Sequence, residues 1–288
     1  RAYIYVLFNN NGNLIMKKII TTFCFIFFIT QQATSAEIDN TFWDSYQDIL
    51  NSTVIVNTFT SIDGEFGHAS VDYEKIKTDP ELQEKIRHQL EKLKTIKVPE
   101  EKKHKLTFWI NAYNFFTIVD VVNNYPITGM KKIGWKNRHH EVEGTPYSLD
   151  NIEHTIIRPL DDPRIHFAIN CASVGCPSLK TEIFDGNQID TQLDKVVANA
   201  LKNPLHLRMV NNKLDATQLF KWFSNDFESG GYEGVADFVN RFAPERLRNT
   251  HQIEKKIKYD WNLNTEQNVL KKMKELGTKF PELKLERK

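Results

Sequence analysis

The chain has 288 residues, of which 38 are basic and 37 acidic. Residues 1–36 hold three of the basic residues (Arg1, Lys17 and Lys18) and no acidic ones, so residues 37–288 carry 35 basic (38 − 3) and 37 acidic residues, a formal charge of −2. This balance provides no basic excess for nucleic acid or for an anionic membrane surface, and we expect neither as a partner.

The first 36 residues are interpreted as processing sequence. Residues 1–15 precede Met16 and are interpreted as an upstream extension that is not structural. Met16–Ala36 has the order of a secretory signal peptide, with Lys17 and Lys18 before the apolar run Ile19–Ile29 and small residues at its end. The run is 11 residues long, shorter than the roughly 20 residues that a membrane span requires.

We therefore expect an exported protein, periplasmic or secreted, with one domain at residues 37–280 and a frayed tail at 281–288. The alternative for the signal segment is an N-terminal anchor that is not cleaved. After cleavage we expect no membrane span. Export also implies an oxidising compartment, in which two exposed cysteines tend to pair.

Helical periodicity and strand-forming runs alternate along residues 37–280. The predicted helices are Asp39–Asn51, a helix that starts at Asp79-Pro80, Leu106–Asn123, Ser148–Ile157, Gln188–Lys202, Leu219–Phe227, Val235–Phe242 and Asn264–Leu276. The predicted strands are Arg138–Val142 with Thr145–Leu149, Arg164–Asn170, Leu205–Val210 with Lys213–Ala216, and Gln252–Tyr259, while Val54–Tyr73 is predicted to be loop with a short strand. We predict a single α+β domain, with a mixed or antiparallel sheet packed against a buried central helix and several amphipathic helices.

Leu106–Asn123 is the candidate central helix, because apolar residues lie on nearly all of its sides. Asn111 and Asn114 are three residues apart and therefore share one face. A buried carboxamide without partners costs about 1–3 kcal/mol, so both need hydrogen bonds. Either they hold the backbone of a neighbouring loop, or they line a pocket and orient a catalytic group.

Two cysteines follow the predicted strand Arg164–Asn170. Cys171 and Cys176 stand in a loop in which Gly175 and Pro177 indicate a turning backbone. Loops that leave the end of a buried strand often carry chemistry, because the strand fixes them while solvent still reaches them. This loop is the main candidate for a functional site.

Four motifs together resemble one family. They are FWINAYN (Phe108–Asn114), SLDNIEH (Ser148–His154), HFAINCASVGCPSL (His166–Leu179) and YDWNLN (Tyr259–Asn264). In this order they resemble the DUF547 family, over roughly Leu106–Asn264. The family is named for having no assigned function, so the resemblance supports the domain limits and raises interest in Asn111, Asn114, Glu153, His154, His166, Cys171 and Cys176 without giving them roles.

One interpretation is cysteine catalysis, which needs a thiolate and a base. Cys171 is the preferred nucleophile, with His154 or His166 as base; His139 and His140 are weaker candidates. On a strand, His166 would lie roughly 16 Å from Cys171, which disfavours a direct pair. Glu153 is expected to point away from His154 on one helix while still reaching the pocket, and Asn111 or Asn114 would orient a group or stabilise an oxyanion.

The same cysteines allow other interpretations. A Cys171–Cys176 disulfide would close a six-residue loop, contribute about 2 kcal/mol by chain entropy, and remove the nucleophile. A reversible bridge is a further option, although the C-x4-C spacing is not the C-x-x-C of thioredoxin-like motifs. Zinc held by both cysteines and a histidine fits no common spacing, and we predict no metal or cofactor.

Two functional hypotheses remain open. The first is an exported thiol hydrolase, or a transferase of acyl or amide groups, that acts on a small-molecule or peptide substrate. The second is a non-catalytic binding domain with the two cysteines bridged. The redox state of Cys171 and Cys176 separates them, because a permanent bridge excludes thiol catalysis.

Overall fold

A computed structural model describes residues 6–8, 14–16, 38–137, 139–248 and 253–279 of the chain. The chain divides into residues 1–34 and residues 35–288. In the first unit, β1 (Val6–Phe8) pairs antiparallel with β2 (Leu14–Met16).

The predicted signal run Ile19–Ile29 and the predicted tail 281–288 lie outside the described residues. Of the helices that are described, none is both long enough and apolar enough to cross a bilayer.

Helices dominate the second unit. The α-helices are α1 (Asp44–Thr53), α2 (Tyr73–Thr78), α3 (Pro80–Thr95), α4 (Lys102–Asn124), α5 (Leu149–Asn151), α6 (Ile189–Ala200), α7 (Leu219–Trp222), α8 (Ser224–Ser229), α9 (Val235–Phe242) and α10 (Glu266–Glu275). Short 3-10 helices occupy Asn40–Trp43, Met130–Lys132, Arg158–Leu160, Pro163–Phe167 and Glu245–Leu247, and a π-helix runs over Ile152–Ile157.

The strands form small sheets. They are β3 (Val54–Ser61), β4 (Gly64–Val71), β5 (His140–Val142), β6 (Thr145–Tyr147), β7 (Leu207–Val210), β8 (Lys213–Thr217) and β9 (Ile253–Ile257). β3 pairs with β4 and β5 with β6, both antiparallel, while β8 pairs antiparallel with β7 and parallel with β9. The predicted α+β architecture with a mixed or antiparallel sheet is confirmed.

Helix α4 is the centre of the main core. All of its residues from Leu106 to Val122 are buried, as the apolar pattern on every side predicted. Helices α1 and α3, the hairpin β5–β6 and the segment around Phe184 contribute to the same apolar cluster. Side chains of α6 to α9 and β7–β8 form a second cluster, in which Phe167 is buried.

The structure differs from the sequence prediction at Arg164–Asn170, where the predicted strand is wrong. Pro163–Phe167 is a 3-10 helix, and the Asp162 side chain caps it by accepting a hydrogen bond from the Arg164 N–H (3.1 Å). Proline at the first position of a helix loses no hydrogen bond, so Asp162-Pro163 favours a helix start over a strand start.

A second difference lies at Val54–Tyr73, which was predicted to be mostly loop. β3 and β4 pair along eight residues each, from Val54 opposite Val71 to Ser61 opposite Gly64. Gly64 is a turn residue with φ of 108°, which glycine adopts without strain. The glycines that indicated a break in the sequence therefore belong to a hairpin.

Candidate functional site

A cavity of about 300 Å³ opens beside the cysteine loop. Its wall combines aromatic rings, two sulfur atoms and several titratable groups. The lining residues are Tyr113, Trp135, Lys136, Asp150, Glu153, His154, His166, Ile169, Cys171, Cys176, Pro177, Leu219, Trp222, Phe223, Tyr259 and Trp261. The volume is at the lower end for small-molecule sites, and the mixture of apolar walls with a few polar groups is typical of them.

The cysteine loop is folded back on itself. Cys171 and Cys176 form a disulfide with their Cα atoms 6.2 Å apart. Inside the loop, Asn170 donates from Nδ2 to the Pro177 carbonyl (2.8 Å) and accepts from the Ala172 N–H (2.8 Å). The bridge predicted as an alternative is thus present, and it forms part of the cavity wall.

The segment after β9 holds the outer side of this loop. The Val174 and Gly175 N–H groups donate to the carbonyls of Asn262 and Asp260, both at 2.8 Å. A Cβ atom at Gly175 would lie 2.7 Å from the Asp260 nitrogen, so only glycine allows this approach. These contacts bring the motif Tyr259–Asn264 against the cysteines.

Tyr259 is the polar group nearest to the bridge. Its hydroxyl oxygen lies 2.8 Å from Cys171 Sγ and 2.9 Å from Cys176 Sγ. Because bridged sulfur carries no proton, the tyrosine is the donor. Burial raises the pKa of Tyr259, so its hydroxyl stays protonated at neutral pH. The Cys171 N–H is a second donor to Cys176 Sγ (2.9 Å).

Glu153 and His154 both line the cavity, although they are adjacent in the sequence. They lie on the π-helix Ile152–Ile157, whose wider turn places consecutive side chains closer in direction than an α-helix does. Glu153 Oε2 accepts from the Tyr113 hydroxyl at 3.1 Å. Both side chains thus reach the same cavity, where Glu153 contacts Tyr113 and His154 contacts Arg158.

His166, which lines the cavity, is buried and belongs to a group that includes two partly buried charged side chains. Its Nε2 lies 2.8 Å from Asp226 Oδ2, and its ring stacks on Phe223 with centroids 4.0 Å apart. Arg158 binds the same carboxylate through two hydrogen bonds of 2.7 Å and also contacts His154 Nδ1 at 3.0 Å. His166 Nδ1 is buried and has no hydrogen-bond partner in the described part of the chain.

Electrostatics fix the protonation of this group. Burial lowers the pKa of His166, so its imidazole is neutral at pH 7, and we assign the proton to Nε2, facing Asp226. Burial raises the pKa of Asp226, but hydrogen bonds from Arg158 and His166 outweigh it, and the pKa lies below its usual range. Asp226 is therefore ionised and acts as the acceptor.

Asn111 and Asn114 do not line the cavity. Asn111 donates to the Phe184 carbonyl and accepts from the Phe184 N–H, both at 2.9 Å. Asn114 donates to the Ala168 carbonyl (3.0 Å) and accepts from the Asn170 N–H (2.7 Å). Each carboxamide thus donates one hydrogen bond to loop backbone and accepts one from it, as the backbone of a neighbouring strand would.

The structure brings Cys171, Cys176, Glu153, His154 and His166 to one cavity. The 16 Å separation expected between His166 and Cys171 assumed an extended strand. Because Pro163–Phe167 is instead a 3-10 helix, which rises less per residue, that estimate does not apply. Within the described residues, neither sulfur has a hydrogen bond to a histidine; their polar neighbours are the Tyr259 hydroxyl and, for Cys176, the Cys171 N–H.

Several site residues were missed by sequence reasoning. Tyr113 and Tyr259 lie inside recognised motifs, so their motif membership was an available signal. Asp226 is 60 residues from His166 in the sequence, and nothing in the local pattern of α8 distinguishes it from a solvent-facing acid.

The fold and site define a class: an α+β domain in which a disulfide-bearing loop lines an aromatic cavity. Residues 99–199 match the family model described as "Protein of unknown function, DUF547". The predicted family is confirmed, and three of the four motifs lie within the match, whereas Tyr259–Asn264 lies beyond it. Comparisons with curated proteins and with solved structures found no match.

Proposed function

We propose that the cavity binds a small organic cation, or a peptide side chain of the same chemistry, while the Cys171–Cys176 bridge is closed. The observation that carries the proposal is the grouping of clustered aromatic rings with two carboxylates around one opening. The rings of Trp222, Tyr259 and Trp261 lie 4.5–5.8 Å apart between centroids. Such rings attract a cation through their faces.

The charges of the cavity support a cationic ligand. Asp150 and Glu153 are half-buried, whereas the lining cation Lys136 is exposed and more strongly screened. The lining thus has one net negative charge when its histidines are neutral. The bridge contributes an apolar wall and leaves no free thiolate in the cavity.

The test compares three probes of one shape: benzylamine, benzyl alcohol and benzoate. We expect benzylamine to bind most tightly and benzoate least, in saturation-transfer NMR and in quenching of tryptophan fluorescence. Glu153→Gln should weaken benzylamine about fivefold, roughly 1 kcal/mol, and leave benzyl alcohol within about twofold. Glu182→Gln, at a carboxylate that does not line the cavity, is the matched control. Equal or tighter binding of benzoate would contradict the proposal.

A second candidate function is a thiol hydrolase or acyl-group transferase that acts when the bridge is reduced. The contact between the Tyr259 hydroxyl and Cys171 Sγ (2.8 Å) supports it, because a hydroxyl donor stabilises a thiolate. Cys171 is the more exposed of the two cysteines and is the proposed nucleophile. Its sulfur would bond to the acyl carbon, the leaving group would depart with a proton, and water or another acceptor would then take the acyl group.

The two functions are separated by p-nitrophenyl acetate hydrolysis with and without a phosphine reductant. For a thiol enzyme, Cys176→Ser should be active without reductant, since no bridge can form, and Cys171→Ser should be inactive in both conditions. Intact mass should show a gain of about 2 Da for the wild-type protein on reduction. If neither reduction nor Cys176→Ser produces turnover, the second candidate is abandoned.

We further propose that the protein is exported. The supporting pattern is Met16–Ala36, with its basic residues, apolar run and small-residue end, together with a cysteine pair suited to an oxidising compartment. In an expressing bacterium, the N-terminus of the protein recovered outside the cytoplasm should be Glu37. Recovery of the protein only in the cytoplasm, with residues 16–36 intact, would refute export.

A further inference from the structure

A second cluster of titratable side chains lies at the C-terminal part of α4. Asp120 projects from this helix toward two consecutive histidines at the start of β5. Asp120 Oδ1 is 2.6 Å from His139 Nε2, and Asp120 Oδ2 is 3.1 Å from His140 Nε2. The three ligand atoms, one from each residue, all lie within 4.8 Å of one another.

The surroundings of this group are unusual for a simple ion pair. Asp120 is 3% exposed on a helix whose other buried residues are mostly apolar, and His140 is 2% exposed. The His140 ring stacks on Phe116 with centroids 4.2 Å apart, which fixes its orientation. A buried carboxylate is costly unless positive charge or several donors compensate for it.

We propose that Asp120, His139 and His140 bind a zinc-type divalent metal ion. Two imidazole nitrogens and one carboxylate oxygen form a donor set that zinc prefers, with bonds of about 2.0–2.2 Å. Tetrahedral bonds of that length separate the donor atoms by about 3.5 Å, so small rotations of the side chains from their present contacts would accommodate an ion. Three protein ligands leave a fourth position open to water or to a ligand.

The solvent exposure of His139 and the position of the His140 ring both suit metal binding. His139 is partly exposed, with 45% of its side chain accessible, so an ion reaches the group from solvent. His140 is buried and its Nε2 faces Asp120, so this ring nitrogen is directed at the proposed metal position. This set differs from the zinc ligands considered from the sequence, since it uses neither cysteine.

The test uses the full-length protein without a polyhistidine tag, stripped with a chelator and kept unreduced so that the cysteines stay bridged. We expect one equivalent of Zn²⁺ by calorimetric titration and by elemental analysis after desalting. His139→Ala should weaken binding at least about tenfold. His88→Ala is the matched control, because it removes an exposed histidine outside the cavity and should leave zinc affinity unchanged.

Cobalt provides a second measurement. A Co²⁺ ion bound by nitrogen and oxygen ligands should show absorption bands in the visible range, without the charge-transfer band of a thiolate ligand. His139→Ala should abolish these visible bands. The proposal is overturned if the wild-type protein binds no zinc, if His139→Ala binds as tightly as wild type, or if His88→Ala removes the binding. If His139→Ala does not fold, as judged by circular dichroism, the wild-type cobalt spectrum decides: absence of the bands refutes the site.

Discussion

Tyr259 is the residue on which the reactivity of the bridge depends. An external thiolate reaches Cys171 more easily than Cys176, because Cys176 is buried. Attack at Cys171 Sγ forms a mixed disulfide there and releases Cys176 as a thiolate. The Tyr259 hydroxyl and the Cys171 N–H already point at that sulfur, so both would stabilise the leaving group.

Tyr259→Phe should therefore slow exchange of the bridge with glutathione by about three- to tenfold. The rate is measured by quenching with a maleimide and following intact mass. Tyr232→Phe is the control, since this tyrosine packs on Phe238 and Phe242 and lines no part of the cavity. An unchanged rate in Tyr259→Phe would mean that its hydroxyl does not assist the leaving sulfur.

Asp226 is the second residue with a predictable effect, because two donors converge on it. Removing the carboxylate in Asp226→Ala leaves Arg158 and His166 without their acceptor and should cost about 2–3 kcal/mol of unfolding free energy. Urea denaturation at pH 7 measures this. By contrast, Glu84→Ala breaks a pair with Arg87 in which both side chains are more than half exposed, and should change stability by less than about 0.5 kcal/mol. Equal losses in the two variants would show that the contacts of Asp226 contribute no more than an exposed ion pair.

At the scale of the element, α4 acts as the frame of the cavity. It contributes Tyr113 to the wall, and its carboxamides hold the two loops that follow, at Phe184 and at Ala168–Asn170. The helix thus positions the cysteine loop without touching the sulfur atoms. Asn111 and Asn114, which are candidate catalytic groups in the sequence, therefore serve to hold loop backbone in place.

Asn111→Ala should lower the unfolding free energy by about 2–4 kcal/mol, because it leaves a buried N–H and a buried carbonyl of Phe184 unpaired. Asn123→Ala on the exposed end of the same helix should stay within about 0.5 kcal/mol of wild type. Both are measured by urea denaturation monitored by tryptophan fluorescence. A loss of less than about 1 kcal/mol for Asn111→Ala would show that water replaces the carboxamide.

For the molecule as a whole, acid stability depends on buried neutral histidines. Burial lowers the pKa of His68 to about 4 and that of His206 to about 3, whereas an unfolded histidine titrates near 6.5. The unfolded chain therefore binds more protons below pH 6.5, and stability that is present above this value is lost as the pH falls. From pH 7 to pH 5 the two groups together should cost about 3–4 kcal/mol.

Urea midpoints at pH 7, 6 and 5 measure this loss. His206→Met should reduce the loss of stability between pH 7 and pH 5 by about 2 kcal/mol, because it removes one of the buried titrating groups. A midpoint independent of pH over this range would show that the buried histidines take up protons without unfolding.

The sequence allowed the prediction of most helices, because their signals are local. Asp79-Pro80 fixes the start of α3, and the apolar residues on all sides of α4 predict its burial. The hairpin β3–β4 was missed although Asp63-Gly64 is a turn signal, since Gly67 within the strand imitates a break. The site was predicted only where its residues share a motif; the Asp226–His166 and Tyr259–Cys176 contacts join distant segments, and no local pattern encodes them.

The wide separation of Tyr259 from Cys176 has a consequence for biosynthesis. The two residues are 83 positions apart, so at about 5–20 residues per second a ribosome needs roughly 4 to 17 s to add the tyrosine after the second cysteine. During that interval the nascent thiols have no hydroxyl beside them and no aromatic wall around them. We expect oxidation to begin on the growing chain, so that the bridge is formed before the aromatic wall closes around it.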